Sequence, residues 1–266
     1  MKRASDYLIG ALAGAGLALS LAGAASAASV NVSLTQYTGN AAGIAQAKAD
    51  QATFLGTNIL RASEGFEGFA ASPAADSGGA ASNPTTNPLV TGVGTFRSIA
   101  PSVCGGSCID ASDLLQVRSG EVWGRFNTTS GGRNFLDSND NSGMEWEISA
   151  ASGIGNFDRI SFLLTDVDDV GKVSFNISTR GDVESATGII LNSRPANGTL
   201  SLVTMVFDHA ISDLFVGLNI DKKDGFGIDD VQVSAVPLPA AGFLLLGGMA
   251  GLGAVSRLRR KESKEG

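Results

Sequence analysis

The residues from Lys172 to Thr179 alternate strictly: Val173, Phe175 and Ile177 fall on one face of an extended chain, Lys172, Ser174, Asn176 and Ser178 on the other. Such a period predicts a strand with one face in a core and one in water. Runs of the same length and β-branched or aromatic character recur at Val122–Thr128, Gly143–Ser149, Phe157–Val167, Ser201–Phe207, Asp213–Ile220 and Gly227–Val236. The connectors between them are turn-forming (TTSGG, DSNDNSG, DDVG, DKKDG), and no helical pattern intervenes. That succession predicts an all-β, antiparallel sandwich rather than an α/β fold. One helix is expected before it, Ala41–Leu55, rich in alanine with Ile44, Ala47, Phe54 and Leu55 as its larger apolar positions. A stretch poor in large apolar residues, Ala70–Pro88, reads as a loop.

Two apolar runs without strand periodicity stand at the ends. Lys2 and Arg3 precede the first, Tyr7–Ala24, and Ala25-Ser26-Ala27 supplies the small residues of a signal-peptidase site, with cleavage after Ala27. An uncleaved anchor is the alternative reading, weakened by Gly10, Gly14 and Gly16. The second, Val236–Val255, carries no charge, and about 20 helical residues reach the roughly 30 Å of a bilayer core. Arg257, Arg259, Arg260 and Lys261 follow and would hold that end on the cytoplasmic side, whereas a buried core helix would rarely end in such a cluster. The expected layout is therefore a signal peptide (1–27), a strand and helix extension (28–56), a β-sandwich (57–235) and a membrane-spanning tail (236–266).

The net charge of −7 is unevenly spread, since leader and tail are basic and the body between them is more acidic than the whole. An acidic surface repels phosphate backbones, which excludes nucleic acid as a partner. Cys104 and Cys108 flank GGS and can close a small disulfide loop in an oxidising compartment; a metal or redox pair is the competing reading, with no second cysteine pair to support it.

The closing stretch VPLPAAGFLLLGGMAGLGAVSRLRRKE resembles the VPLPA variant of the PEP-CTERM sorting signal, a proline motif followed by an apolar helix and a basic cluster. The resemblance implies that an exosortase-type membrane enzyme recognises Val236, Pro237, Leu238, Pro239 and Ala240, so that the chain is its substrate. In the body, SEGFEGFA (Ser63–Ala70) and GFGIDDVQV (Gly225–Val233) are similar to the opening and closing strands of jelly-roll carbohydrate-binding and MAM-like domains. This second resemblance implies that the two segments meet, and that Glu67, Asp229 and Asp230 at their seam hold a structural calcium ion. The chain departs from sugar-binding members in lacking an evident aromatic platform, for Trp123 and Trp146 are its only tryptophans and Tyr37 its only tyrosine beyond the leader.

Calcium also suits the composition, because it takes hard oxygen ligands from flexible acidic loops. Asp137, Asn139 and Asn141 alternate as in a calcium loop, though Gly143 arrives one position late; Asp166, Asp168, Asp169, Asp221 and Asp224 form lesser clusters, and ordinary turns account for any of them. Glu145 and Glu147 stand on one face of a strand about 7 Å apart, a spacing open to glycoside hydrolysis. They resemble the catalytic strand of sandwich-fold glucanases only in part, lacking its central Asp and last Glu; an exposed face with Trp146 turned inward is the simpler account. The single histidine, His209, has no evident serine partner and reads as a surface residue. The expectation is a non-catalytic module of the cell surface or extracellular matrix, with surface polysaccharide a candidate partner; a calcium-dependent carbohydrate-binding module and a glycan hydrolase are the alternatives.

Overall fold

The computed structural model describes residues 28–73, 88–98, 115–138, 143–167, 172–179, 182–186, 191–192, 198–220 and 225–237. In chain order its elements are β1 (Val30–Thr38), α1 (Ala41–Leu55), β2 (Ile59–Glu64), β3 (Ser72–Pro73), β4 (Leu89–Thr91), β5 (Gly94–Ser98), β6 (Gln116–Ser119), β7 (Glu121–Val122), β8 (Arg125–Phe126), β9 (Asn134–Asp137), β10 (Gly143–Ile148), β11 (Phe157–Thr165), β12 (Lys172–Thr179), β13 (Asp182–Ala186), β14 (Leu191–Asn192), β15 (Thr199–Ile211), β16 (Leu214–Ile220) and β17 (Gly227–Ala235).

Two large sheets form. One runs β1-β15-β11-β17-β9-β6-β3, with β2 also on β17; the other runs β13-β12-β16-β10-β5-β4, with β14 on β12. Pairing is antiparallel except between β3 and β6. Their inner faces interlock around Trp146, which stacks on Phe96 at 5.3 Å and meets Phe162 edge-on at 6.0 Å, while Phe162 meets Phe175 at 6.3 Å. Tryptophan tolerates full burial only with its N–H satisfied, and Nε1 donates to the Val93 carbonyl at 2.9 Å. The alternation of β12 appears as expected, with Phe175 and Ile177 buried.

The first sheet is covered on its other face too. Leu163, Leu200 and Leu202 point away from the main core and, with Phe126, bury Ala47 of α1. Helix α1 spans the residues its composition predicts; Asn40 caps it by accepting from the Gly43 amide at 2.9 Å, and Gly56 ends it at φ 52°. Because β11 from Ile160 onward and β15 over Leu200–Val203 are buried on both faces, burial there is continuous rather than alternating, whereas β15 alternates from Val203 to Phe207.

Two sequence expectations need correction. Val122–Thr128 is not one strand: Trp123 (φ 46°) and Gly124 (φ 89°) form a two-residue turn between β7 and β8. Ser63–Ala70 is a strand only as far as Glu64, after which Phe66 (φ 58°) turns the chain and leaves Glu67 in a loop.

Candidate functional site

Strand β17 has two partners on one edge: β9 pairs with Gly227 and Ile228, and β2 with Val231–Ala235. Asp229 and Asp230 lie in the interval between them. Adjacent strand residues normally face opposite sides, but the β11–β17 register shifts between Ser161 and Leu163 and Asp230 adopts φ 48°, the geometry of a bulge. The bulge turns both carboxylates toward the segment Asn127–Thr129.

There Asp229 Oδ2 accepts from the Thr128 amide (2.6 Å), the Thr128 hydroxyl (2.9 Å), the Thr129 amide (3.0 Å) and Asn127 Nδ2 (3.2 Å). Its Oδ1 accepts from the Asp230 amide at 2.8 Å and faces Thr129 Oγ1 at 3.2 Å. Asp230 lies against the same two hydroxyls, at 2.8 and 3.1 Å, and against Lys48 Nζ at 2.8 Å. Glu67 joins through Asn127, whose Nδ2 lies 2.9 Å from Glu67 Oε1; that oxygen also accepts from the amides of Arg133 and Asn134. A Cβ at Gly132 would collide with the Glu67 carboxylate, so a side chain there would push Glu67 off these donors. The structure thus brings Glu67, Asp229 and Asp230 together. Asp229 is fully buried, and its carboxyl is pushed up to about 7, first by desolvation and then by the charge of Asp230, against the opposing hydrogen bonds from Thr128 and the Asp230 amide.

The donors bear directly on calcium, which seeks roughly six to eight oxygens with lone pairs to give. Four donors surround Asp229 Oδ2 and three converge on Glu67 Oε1. These residues, as placed, do not fit the ion. Among the described residues no three His, Cys, Asp or Glu side chains are disposed to hold a metal.

Asp137 does not open a calcium loop either. It ends β9 with no exposure, bracketed by Arg118 Nε at 2.7 Å and Arg125 Nη1 at 2.8 Å, both arginines also buried. A carboxylate between two guanidiniums is committed to them. Asn139 and Asn141, Cys104 and Cys108, Ala25 and Ala27, Leu238, Pro239 and Ala240, and the basic cluster Arg257, Arg259, Arg260 and Lys261 lie outside the described residues. Val236 and Pro237 are exposed, the Val236 amide donating to Asp158 at 3.0 Å. Among the described residues no helix is long and apolar enough to cross a membrane.

Glu145 and Glu147 share the outer face of β10. Glu147 is paired with Arg97 of β5 at 2.9 Å, and Trp146 between them is 1% exposed. His209 is an exposed residue of β15, 2.7 Å from Asp208.

One functional candidate escaped the sequence reading. At the β7–β8 turn Trp123 is 54% exposed, and its ring lies over the Arg125 guanidinium at 5.3 Å. Arg125 is itself fixed by Asp137 and by the Val122 carbonyl. A large aromatic ring is therefore held on the surface, backed by a buried cation.

No family model and no curated protein matches the chain. Among solved structures it is similar to the CBM22-1 xylan-binding domain of Paenibacillus barcinonensis Xyn10C, at 14% identity and TM-score 0.34, over 68% of this chain and 97% of that one. It is also similar to a family 35 carbohydrate binding module from Clostridium thermocellum, at 12% identity and TM-score 0.30, over 46% of this chain and 88% of that one. Similarity at this level assigns no ligand to the present chain.

Proposed function

We propose that the chain is an exported, non-catalytic module of the cell surface that binds polysaccharide, with the Trp123 ring as its platform. The observation that carries this reading is the placement of Trp123: exposing so large an apolar side chain is unfavourable, as is its positive φ, and the Arg125–Asp137 pair beneath it fixes the ring rather than hiding it. A rigid, flat aromatic surface suits the C–H faces of pyranose rings, and it loses little conformational entropy on binding. Catalysis finds less support, because Glu147 is held by Arg97. Delivery rests on the terminal segments: export through the leader, transient anchoring by the apolar tail, and processing at VPLPA by an exosortase-type enzyme. Fractionation of cells should then show a shortened form released from the membrane, and full-length protein remaining there would argue against processing.

The platform is open to direct spectroscopy, since the chain has only two tryptophans and Trp146 is buried. Iodide should quench the emission of Trp123 alone, and a bound polysaccharide should shift that emission to the blue and protect it. Trp123→Ala is expected to weaken binding by about tenfold or more, the effect of removing a central aromatic contact, without moving the melting temperature. Equal affinity of wild type and Trp123→Ala across a polysaccharide panel, or no binding by either, would discard the platform.

A further inference from the structure

The two aspartates of the seam need positive charge, and the hydrogen-bond count shows why. Thr128 Oγ1 lies 2.9 Å from Asp229 and 2.8 Å from Asp230, and Thr129 Oγ1 lies 3.2 and 3.1 Å from the same pair. Each hydroxyl has a single proton, so two hydroxyls cannot fully satisfy four carboxylate contacts. The charge comes from α1. Lys48 Nζ sits 2.8 Å from Asp230 Oδ2 and 3.2 Å from the Thr128 carbonyl, a carboxylate and a carbonyl oxygen of the kind a hard cation takes. One helical turn on, Gln51 donates to the Asp230 carbonyl at 2.7 Å and lies 3.2 Å from Ser161 Oγ, so the helix grips the bulge at two points. Gln51 is buried and Lys48 partly so, which fixes where the ammonium stands.

We propose that Lys48 is the resident cation of this seam, standing where a divalent ion would otherwise be needed, so that the closure of β17 against Asn127–Thr129 is independent of metal. The helix that precedes the sandwich is then part of its closure rather than an appendage. Removing the ammonium bares the oxygens it faced, Asp230 Oδ2 and the Thr128 carbonyl, to a divalent cation from solution, while Asp229 keeps its own donors.

The test is thermal melting of the full chain, wild type and Lys48→Met, in chelator and in added calcium. Wild type is expected to melt at one temperature in both solutions. Lys48→Met is expected to melt several degrees lower in chelator and to regain part of the loss in calcium. Lys48→Gln, uncharged but still able to donate to the Thr128 carbonyl, serves if the methionine variant does not fold. A wild-type midpoint that falls in chelator would overturn the proposal, as would a Lys48→Met midpoint equal to wild type or one that calcium leaves unchanged.

Discussion

Asp137→Ala should lower the unfolding free energy by about 3–5 kcal/mol, the cost of stripping the partner from buried charge. The carboxylate has no exposure, and its two oxygens face Arg118 and Arg125, each buried in its own right. Truncation takes from both interior guanidiniums the carboxylate that stands 2.7–2.8 Å away. Urea unfolding followed by Trp146 emission measures the loss. The damage should also reach the surface, because Arg125 backs the Trp123 ring: exposed-tryptophan emission in the folded variant should become easier to quench and less sensitive to polysaccharide. A triple replacement, Arg118→Met with Asp137→Leu and Arg125→Met, separates the two effects. Apolar substitution of a buried ionic triad is often neutral or stabilising, so the triple variant should regain stability while the ring stays loose. If Asp137→Ala unfolds within about 0.5 kcal/mol of wild type, as ordinary surface changes do, the triad does not hold this end of the first sheet.

What the chain discloses before folding follows from the range of the interactions involved. Periodicity is local, so β12 and α1 could be read to the residue, and the sandwich from their neighbours. The approach of Glu67 to Asp229 was suggested by two short segments resembling jelly-roll ends, although their strand character overstated the first of them. The other seam residues had no such signal. Thr128 and Thr129 read as a connector, and Lys48 as the polar side of an alanine-rich helix; only the bulge at Asp230, a strained residue with nothing unusual in its neighbours' types, brings them into contact. Asp137 was misread for the same reason, since its arginines come from β6 and β8 and local spacing shows only an acidic residue before a turn. Trp123 was hidden by an apolar run long enough for a strand. The Trp-Gly step is a hairpin turn only because Gly124 packs where a Cβ would meet Asp166 and the Gly198 amide.

Asp229→Ala is expected to cost about 3 kcal/mol or more, since the amides of Thr128, Thr129 and Asp230 would all lose their acceptor, at roughly 1–3 kcal/mol for each unsatisfied group. It should also change how stability depends on pH. Native Asp229 is pushed from 3.8 up to about 7, chiefly by burial, so between those values the folded chain keeps a proton that the unfolded chain has released. Stability from this group is therefore fully present below pH 3.8 and is lost as pH rises through 7. Measured as unfolding free energy at pH 5 and pH 8, wild type minus Asp229→Ala should give a smaller difference at the higher pH. The direction matches a seam in which one ammonium serves two carboxylates: Lys48 matches Asp230, and Asp229 retains the proton. A divalent ion bound by both would hold both ionised, and the contribution of Asp229 would then grow as pH rises from the acid side. A difference that shrinks from pH 5 to pH 8 thus marks a lysine-closed seam, and one that is unchanged over that window, having grown only below pH 3.8, a metal-closed one.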